Sequence, residues 1–148
     1  MNIRRALLSD IEKLAVLFDQ YRVFYDKSTN VKAAEHFLTE RITKNESVVF
    51  IAENDRKELT GFVQLYPIFS STRMKRLWLL NDLFVQDRFR SQNISIQLID
   101  AAKKLAVETE SAGLILETAK SNFIGNKLYP RTNFELDNEH NYYSWSPE

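Results

Sequence analysis

Apolar and polar residues follow one another in blocks whose spacing changes along the chain, and this spacing predicts both strands and helices. The first half reads as a short strand, two helices with apolar residues at helical spacing, a continuously apolar strand, and a further strand that ends at Pro67. The strands are predicted over residues 2–6, 47–52 and 59–67, and the second helix over 30–43. The first helix begins at a capping box of Ser9 and Glu12, and its apolar residues at helical spacing are Ile11, Leu14, Ala15, Phe18 and Tyr21. A polar turn joins the last two strands, which we therefore expect to form a hairpin.

The second half of the chain centres on a strand that leads through a short loop into a helix. The strand ends at Val85, and the helix over 92–109 has one apolar face, formed by Ile94, Leu98, Ile99, Ala102, Leu105 and Ala106. The strand LILETA follows from residue 114, then a short helix over 122–129 that stops at Pro130, and the strands FEL and NYYSW. The predicted order is β-α-α-β-β-β-α-β-α-β-β, an α/β fold with a mixed, mostly antiparallel sheet and helices on both faces.

The loop between the central strand and its helix predicts an anion site. It carries Arg88 and Arg90, and the start of the helix presents free backbone N–H groups and the positive end of a dipole. Such loops usually contain glycine, and this chain has only 3 glycines. Asn93 stands where a glycine would be convenient, and asparagine is the next best residue for left-handed backbone.

Composition narrows the class of protein. The 148 residues suit a single domain over 1–148, and 20 basic residues balance 20 acidic ones, which argues against a nucleic-acid or acidic membrane surface. Cysteine is absent, the two histidines have no ligand spacing, and we expect no metal site. No apolar run approaches the ~20 residues of a membrane span. The first residues lack the apolar core of a signal peptide, so we expect a cytoplasmic protein.

This element order and its central loop resemble the GCN5-related N-acetyltransferase (GNAT) superfamily over essentially the whole chain. The family's cofactor loop reads Gln/Arg-x-x-Gly-x-Gly/Ala after a strand that ends in Val. The corresponding residues here are Arg90, Ser91, Gln92, Asn93, Ile94 and Ser95. The resemblance implies that their amides hold the pyrophosphate of acetyl-CoA, and that the strand Leu83, Phe84 and Val85 pairs with the pantetheine arm.

A second family signature lies further along the chain. It is an Asn, a Tyr seven residues later and then an aromatic residue, here Asn122, Tyr129 and Phe134. By resemblance, Asn122 contacts the pantetheine arm and Tyr129 is the acid that reprotonates the CoA thiolate. Asn133 stands at a common glycine position of the family. Pro130 is expected to bias Tyr129 away from helical dihedrals.

The proton acceptor of the implied reaction stays open. The segment from Leu80 to Val85 looks like the strand of the spermidine/spermine acetyltransferases whose Glu is the presumed base, but Asn81 stands at that position and cannot accept a proton. Strand alternation points Asp82 to the opposite face, where we favour a structural role. Two other proton acceptors are possible: Glu117, and a water molecule activated by backbone carbonyls and Asn81.

The acceptor side of the implied site draws on the first two helices and the loop before the central strand. Aromatic residues and a carboxylate there could hold a cationic amine: Tyr21, Phe24, Tyr25, Asp26, Tyr66 and Phe69. We therefore expect an acetyl-CoA-dependent N-acetyltransferase that acts on a primary amine, either a small polyamine-like or amino compound or a lysine side chain, as in the polyamine- and histone-acetylating branch. The rival interpretation is a GNAT-fold acyl-CoA-binding or dimerisation module with impaired catalysis. Dimerisation is common in the family, with NYYSW as a suitable edge.

Overall fold

The computed structural model describes residues 1–147, which form five strands and four α-helices. The strands are β1 (Asn2–Arg5), β2 (Val48–Glu53), β3 (Leu59–Ser70), β4 (Lys75–Val85) and β5 (Leu114–Ile115). The helices are α1 (Ile11–Phe24), α2 (Val31–Thr43), α3 (Ile94–Glu108) and α4 (Phe123–Arg131). The predicted α/β class and the order of the elements up to α4 are confirmed.

The five strands form one mixed sheet in the order β1-β2-β3-β4-β5. Only β4 and β5 are parallel, and the other neighbours are antiparallel. Phe62 of β3 packs against Phe18 of α1, whereas a Cβ on the adjacent Gly61 would lie 3.4 Å from Leu98 of α3. Because successive strand residues face opposite sides, α1 and α3 cover opposite faces of the sheet.

Helix α3 follows its predicted apolar pattern closely. Its buried residues are the six that the sequence places on one face: Ile94, Leu98, Ile99, Ala102, Leu105 and Ala106. A full apolar stripe of this width holds a helix against a sheet. The position of the helix, and with it the loop before it, is therefore fixed by side chains that sequence analysis identifies.

The two strands expected at the C-terminal end, FEL and NYYSW, are wrong: the structure has no strand between residues 132 and 147. A strand requires a hydrogen-bonded neighbour, and here the aromatic side chains Tyr142, Tyr143 and Trp145 are 75%, 91% and 85% exposed. Asp137 instead forms a local turn, in which its carboxylate accepts from the backbone N–H groups of Glu139 and His140. Strand β5 is likewise shorter than the predicted LILETA, because it pairs only with Trp78 and Leu79.

Both prolines expected to end elements lie inside them. Pro67 pairs with Trp78 within β3, whose pairing to β2 stops at Leu65, so the missing N–H of Pro67 costs no ladder bond on that side. Pro130 lies in the last turn of α4, so Tyr129 is helical, contrary to expectation. Residues that follow the proline stabilise this turn, since the N–H groups of Thr132 and Phe134 both donate to the Tyr129 carbonyl at 3.0 Å.

The chain divides into two compact units, residues 1–117 and the segment from residue 118 onward. The first contains the sheet with α1, α2 and α3, and the second contains α4. Across residues 1–147, none of the helices has the length and apolar character needed to cross a membrane.

Candidate active site

Strand β4 has an open edge along its second half. It pairs with β5 only at Trp78 and Leu79, whereas its pairing with β3 continues to Val85. Within residues 1–147, no strand therefore pairs with Leu83, Phe84 and Val85 on the side away from β3. This edge offers backbone N–H and C=O groups to an extended ligand, which would lie against it as an additional strand.

A β-bulge in β4 lies directly before this open edge. Gln64 is opposite Asp82 and Leu65 is opposite Leu80, so Asn81 is the extra residue. The bulge lets Leu80 and Asp82 face opposite sides of the sheet although they are two residues apart. Asp82 thereby joins Phe84 on the face covered by α1, and Asn81 is exposed.

The loop from residue 90 to 95 turns through left-handed backbone, as the sequence suggests. Asn93 has φ 59° and ψ 17°, and it immediately precedes the first residue of α3. Its side chain makes no hydrogen bond to cap the helix, and the first turn of α3 has no acidic residue. The amides of Ile94, Ser95 and Ile96 have no partner within the helix and are available to an anion. Ser91 is a second left-handed residue, with φ 63°, which the sequence analysis missed.

The two arginines of the loop are both paired with carboxylates. Arg88 forms an ion pair with Glu58, and Arg90 forms one with Asp87 at 2.7 Å. Arg90 also donates to the Val85 carbonyl at 3.2 Å and lies over the Phe24 ring at 5.6 Å. Arg90 therefore links the loop to the end of β4 and to α1, and the positive character of the loop comes mainly from the helix amides.

Asp82 is a buried carboxylate, 5% exposed, whose hydrogen-bonding partners are all uncharged. Gln64 Nε2 donates to Oδ2 at 2.7 Å, Asn81 Nδ2 donates to Oδ1 at 3.0 Å, and the Tyr21 hydroxyl donates as well. Burial raises the pKa of Asp82 above its ordinary value, and these three hydrogen bonds oppose that shift. The prediction that alternation points Asp82 away from Asn81 is wrong, because the bulge breaks the alternation and the two side chains are hydrogen-bonded to each other. The other partners of Asp82, Gln64 and Tyr21, come from two other elements, and the sequence analysis missed Gln64.

A cavity of about 510 Å³ opens between α1 and α2. It is lined by aromatic and small side chains and by two cations: Phe18, Tyr21, Tyr25, Ala33, Ala34, Phe37, Arg22 and Lys27. Two of the six residues expected on the acceptor side, Tyr21 and Tyr25, lie here, and Phe24 packs on Phe84 at 6.4 Å between ring centroids. Asp26 is exposed and does not line this cavity, and Tyr66 and Phe69 are likewise outside its lining.

The electrostatics of the cavity differ from those expected for a simple cation-binding aromatic cage. Arg22 is paired with Asp19 at 3.2 Å, and Lys27 adds a further positive charge to the rim. Asp82 is hydrogen-bonded to Tyr21 of its aromatic wall and, unlike Asp19, has no cationic partner among residues 1–147. A protonated amine would therefore be attracted to the Tyr21 end of the cavity rather than to its rim.

Asn122 and Tyr129 belong to the second unit, where both have defined local roles. Asn122 caps α4, since Oδ1 accepts from the Gly125 N–H at 3.1 Å and Nδ2 donates to Thr118 at 2.9 Å. The Tyr129 ring lies edge-on to Phe134, with centroids 5.7 Å apart. Asn133 has φ 61°, the left-handed backbone expected at a family glycine position.

The residues of the first unit fit an acyl-CoA molecule. An open strand edge at Leu83–Val85 suits an extended amide-containing arm, and it ends beside three helix amides suited to a pyrophosphate. Asn93 leaves these amides uncapped. Among residues 1–147, no group of three or more metal-ligating side chains could hold a metal ion.

Known proteins with a similar sequence or structure indicate the class to which this chain belongs. The sequence model of the acetyltransferase (GNAT) family matches residues 12–134. The chain is 43% identical over 137 residues to a Bacillus subtilis protein described as an uncharacterized N-acetyltransferase, YhfO, covering 93% of this chain and 91% of that protein. The crystal structure of a probable acetyltransferase superposes with a TM-score of 0.95 at 36% identity, covering 100% of this chain and 99% of the other.

A more distant structural neighbour was crystallised with acetyl-CoA. This predicted acetyltransferase from Clostridium acetobutylicum, determined with acetyl-CoA, has a TM-score of 0.78 at 18% identity and covers 97% of this chain and 95% of its own. This likeness shows the α/β fold alone, whereas the class of protein, an acetyltransferase, rests on the family model and on the Bacillus relative. The chain belongs to the GNAT family of acetyltransferases, as its sequence signatures predict.

Proposed function

We propose that this protein transfers the acetyl group of acetyl-CoA to a primary amine, which attacks the thioester directly. The observation that carries the proposal is the open edge of β4 at Leu83–Val85, which ends beside the uncapped amides of α3. An extended arm on a strand edge and a pyrophosphate on a helix N-terminus together match the shape of CoA. The whole chain, residues 1–148, would act as one acetyltransferase domain.

In this proposal, each part of the predicted cofactor site has its own role. Leu83, Phe84 and Val85 would pair with the pantetheine arm, and the loop Arg90, Ser91, Gln92, Asn93, Ile94 and Ser95 would hold the pyrophosphate. The left-handed Asn93 supports this role, since it replaces the glycine of the family loop without closing the helix end. Asn122 would contact the pantetheine arm, as its family counterpart implies.

The reaction requires a neutral amine and a donor for the departing thiolate. Only about one in 2,500 amines of pKa about 10.4 is neutral at pH 7, so a proton acceptor accelerates the reaction. Tyr129 would protonate the CoA thiolate, by resemblance. The acceptor would be a polyamine-like compound, another small amino compound or the lysine side chain of a peptide.

The rival proposal is a GNAT-fold module that binds acyl-CoA or dimerises without catalysis. The observation that favours it is Asn81, an exposed amide at the position where a carboxylate base is expected. This proposal keeps the cofactor site and differs only in predicting no transfer to any amine.

Two finer proposals concern the assembly and location of the protein. The exposed aromatic residues Tyr142, Tyr143 and Trp145 support a homodimer formed through the C-terminal segment. Truncation after residue 140 should then convert a dimer to a monomer in sedimentation analysis, and an unchanged mass would contradict this.

A cytoplasmic location suits an enzyme that consumes acetyl-CoA.

Calorimetric titration with acetyl-CoA, followed by an amine panel that measures released CoA, tests the main proposal. Spermidine, L-lysine, tyramine and a lysine-containing peptide represent the classes of acceptor. Binding followed by CoA release supports the enzyme, whereas binding with no release from any amine supports the module. No binding at millimolar acetyl-CoA contradicts both.

A further inference from the structure

Asp82 is a buried carboxylate to which the sequence analysis assigns only a structural role. A carboxylate that is 5% exposed and hydrogen-bonded only to neutral groups is unfavourable for folding. A buried leucine or asparagine would fill the position with less loss of solvation. The bulge at Asn81 turns Asp82 to the α1 face, so the backbone itself is arranged to place a carboxylate there.

Tyr21 connects this carboxylate to the cavity between α1 and α2. Its hydroxyl donates to Asp82, and its side chain lines the cavity. The Tyr21 ring also packs edge-on against Phe84 at 6.1 Å and against Phe62 at 5.7 Å. Phe84 lies between two residues of the open strand edge, so Tyr21 is adjacent both to the proposed path of the acetyl donor and to an entry path from solvent.

On the basis of the proposed acetyl transfer, we propose that Tyr21 and Asp82 together accept the proton of the acceptor ammonium that enters through this cavity. An N–H bond of the ammonium breaks and its proton passes to Tyr21 Oη, while the original Tyr21 proton passes to a carboxylate oxygen of Asp82. The products are a neutral amine, an unchanged Tyr21 and a neutral Asp82 acid, so charge and atoms balance. Asp82 later returns the proton to solvent through Tyr21.

The surroundings of Asp82 favour this transfer. The step cancels one positive and one negative charge, which is favourable where solvent is excluded. Gln64 Oε1 is fully buried and has no hydrogen-bond donor in the described structure, so rotation of the amide would let it accept from a protonated Asp82. The raised pKa of Asp82 brings its proton affinity closer to that of an amine.

The other titratable groups that face this cluster do not compete for the proton. Tyr66 of β3 feels the charge of Asp82, and burial raises its pKa to about 12, so it stays protonated. Arg41 of α2 lowers the Tyr66 pKa slightly and is itself paired with Glu40 and Glu46. Tyr21 of α1, Gln64 of β3 and Asn81 of β4 complete the set around Asp82.

The test is the pH dependence of acetyl transfer in Asp82→Asn and Tyr21→Phe, measured with each amine of the panel above. Asp82→Asn should lower kcat about 10²–10⁴-fold near neutral pH, the usual contribution of a general base. Its rate should then rise about tenfold per pH unit up to the pKa of the amine, since only the free amine reacts. The rate of Tyr21→Phe should depend on pH in the same way. The rate of the unaltered protein should stop rising at a lower pH than the rates of the two variants.

Two variants provide matched controls. Asp100→Asn removes an exposed carboxylate of α3 and should leave the rate and profile unchanged. Tyr25→Phe removes a hydroxyl from the same cavity. Any change that it causes should affect KM and should leave the pH dependence of the rate unaltered. The affinity for acetyl-CoA, measured by calorimetry, should be equal in all variants, which also shows that each one is folded.

The outcomes separate this proposal from the proposed function. If both variants still transfer acetyl groups and their rates depend on pH as in the unaltered protein, the role of Tyr21 and Asp82 is overturned. The proposed acetyl transfer is not affected by that result. A loss of kcat in Asp82→Asn with no change of profile also overturns it, because a purely structural role would lower the rate at every pH. Absence of transfer by the unaltered protein with every amine contradicts the proposed function and this proposal together.

Discussion

Gln64 Nε2 donates a hydrogen bond of 2.7 Å to Asp82 Oδ2, and these residues lie opposite each other on β3 and β4. Both side chains are buried, on the face of the sheet that α1 covers. The pair joins two central strands at the point where the β4 bulge begins. The strand register and the position of the carboxylate therefore depend on the same contact.

Replacement of Asp82 by asparagine should stabilise the fold at neutral pH. The pKa of Asp82 is raised in the folded state, so the folded protein binds its proton more tightly than the unfolded chain does. The folded state therefore loses stability as the pH rises from the ordinary aspartate value of 3.8 through the folded pKa. The asparagine side chain has no proton to lose, and Gln64 can turn Oε1 toward its amide.

Thermal unfolding from pH 3 to pH 8 measures this effect. The difference in Tm between Asp82→Asn and the unaltered protein should be small at pH 3 and increase with pH. Asp100→Asn is the control, because its carboxylate is exposed. A Tm difference that is independent of pH would contradict the burial of an ionised Asp82.

Substitutions at Asn93 should separate the backbone requirement of the loop from its side chain. Asn93→Gly keeps access to φ 59°, whereas Asn93→Val places a β-branched residue in left-handed backbone. The valine variant should lose about 1–2 kcal/mol of unfolding free energy. Its affinity for acetyl-CoA should fall roughly tenfold, while that of the glycine variant should match or exceed the unaltered protein.

Denaturant unfolding and calorimetry measure both effects at Asn93. Asp100→Asn provides a control on helix α3, because its exposed carboxylate lies outside the proposed pyrophosphate loop. Equal affinity in the glycine and valine variants would show that the loop does not need left-handed backbone to bind the nucleotide.

Gly61→Ala should destabilise the protein by about 1–3 kcal/mol, the usual cost of overpacking. A Cβ at this position would lie 2.8 Å from the Phe84 carbonyl oxygen and 3.1 Å from a Val85 methyl group. The backbone oxygen cannot move without shifting β4, so we also expect weaker acetyl-CoA binding along Leu83–Val85. Urea unfolding together with calorimetry tests this, and a variant of unaltered stability would show that β3 and β4 can separate there.

Tyr129→Phe should lower kcat about 10²-fold or more while the dissociation constant of acetyl-CoA changes little, if Tyr129 protonates the thiolate. Tyr142→Phe is a suitable comparison, because it removes an exposed phenol that donates to Asp137 in its own turn. The rate of CoA release with an excess of the accepted amine measures kcat. Turnover equal to that of the unaltered protein would reject the role of Tyr129 as the acid.

The sequence by itself determined the elements whose stability is local or whose apolar pattern is complete. The buried face of α3 was predicted residue by residue, because six apolar side chains at helical spacing have only one way to face a sheet. The left-handed backbone at Asn93 and Asn133 followed from the rule that asparagine best replaces glycine there. The two family signatures likewise identified the class of protein, because they depend on short spacings within the chain.

Only the tertiary structure decided the features that depend on pairing between distant residues. Whether FEL and NYYSW form strands depends on a neighbouring strand, and the length of β5 depends on where it leaves β4. Pro67 is tolerated because β2 has already ended, a fact that its own neighbours in sequence do not contain. The cluster of Tyr21, Gln64 and Asp82 joins three elements, and its chemistry depends on burial and hydrogen bonds that exist only after the chain has folded.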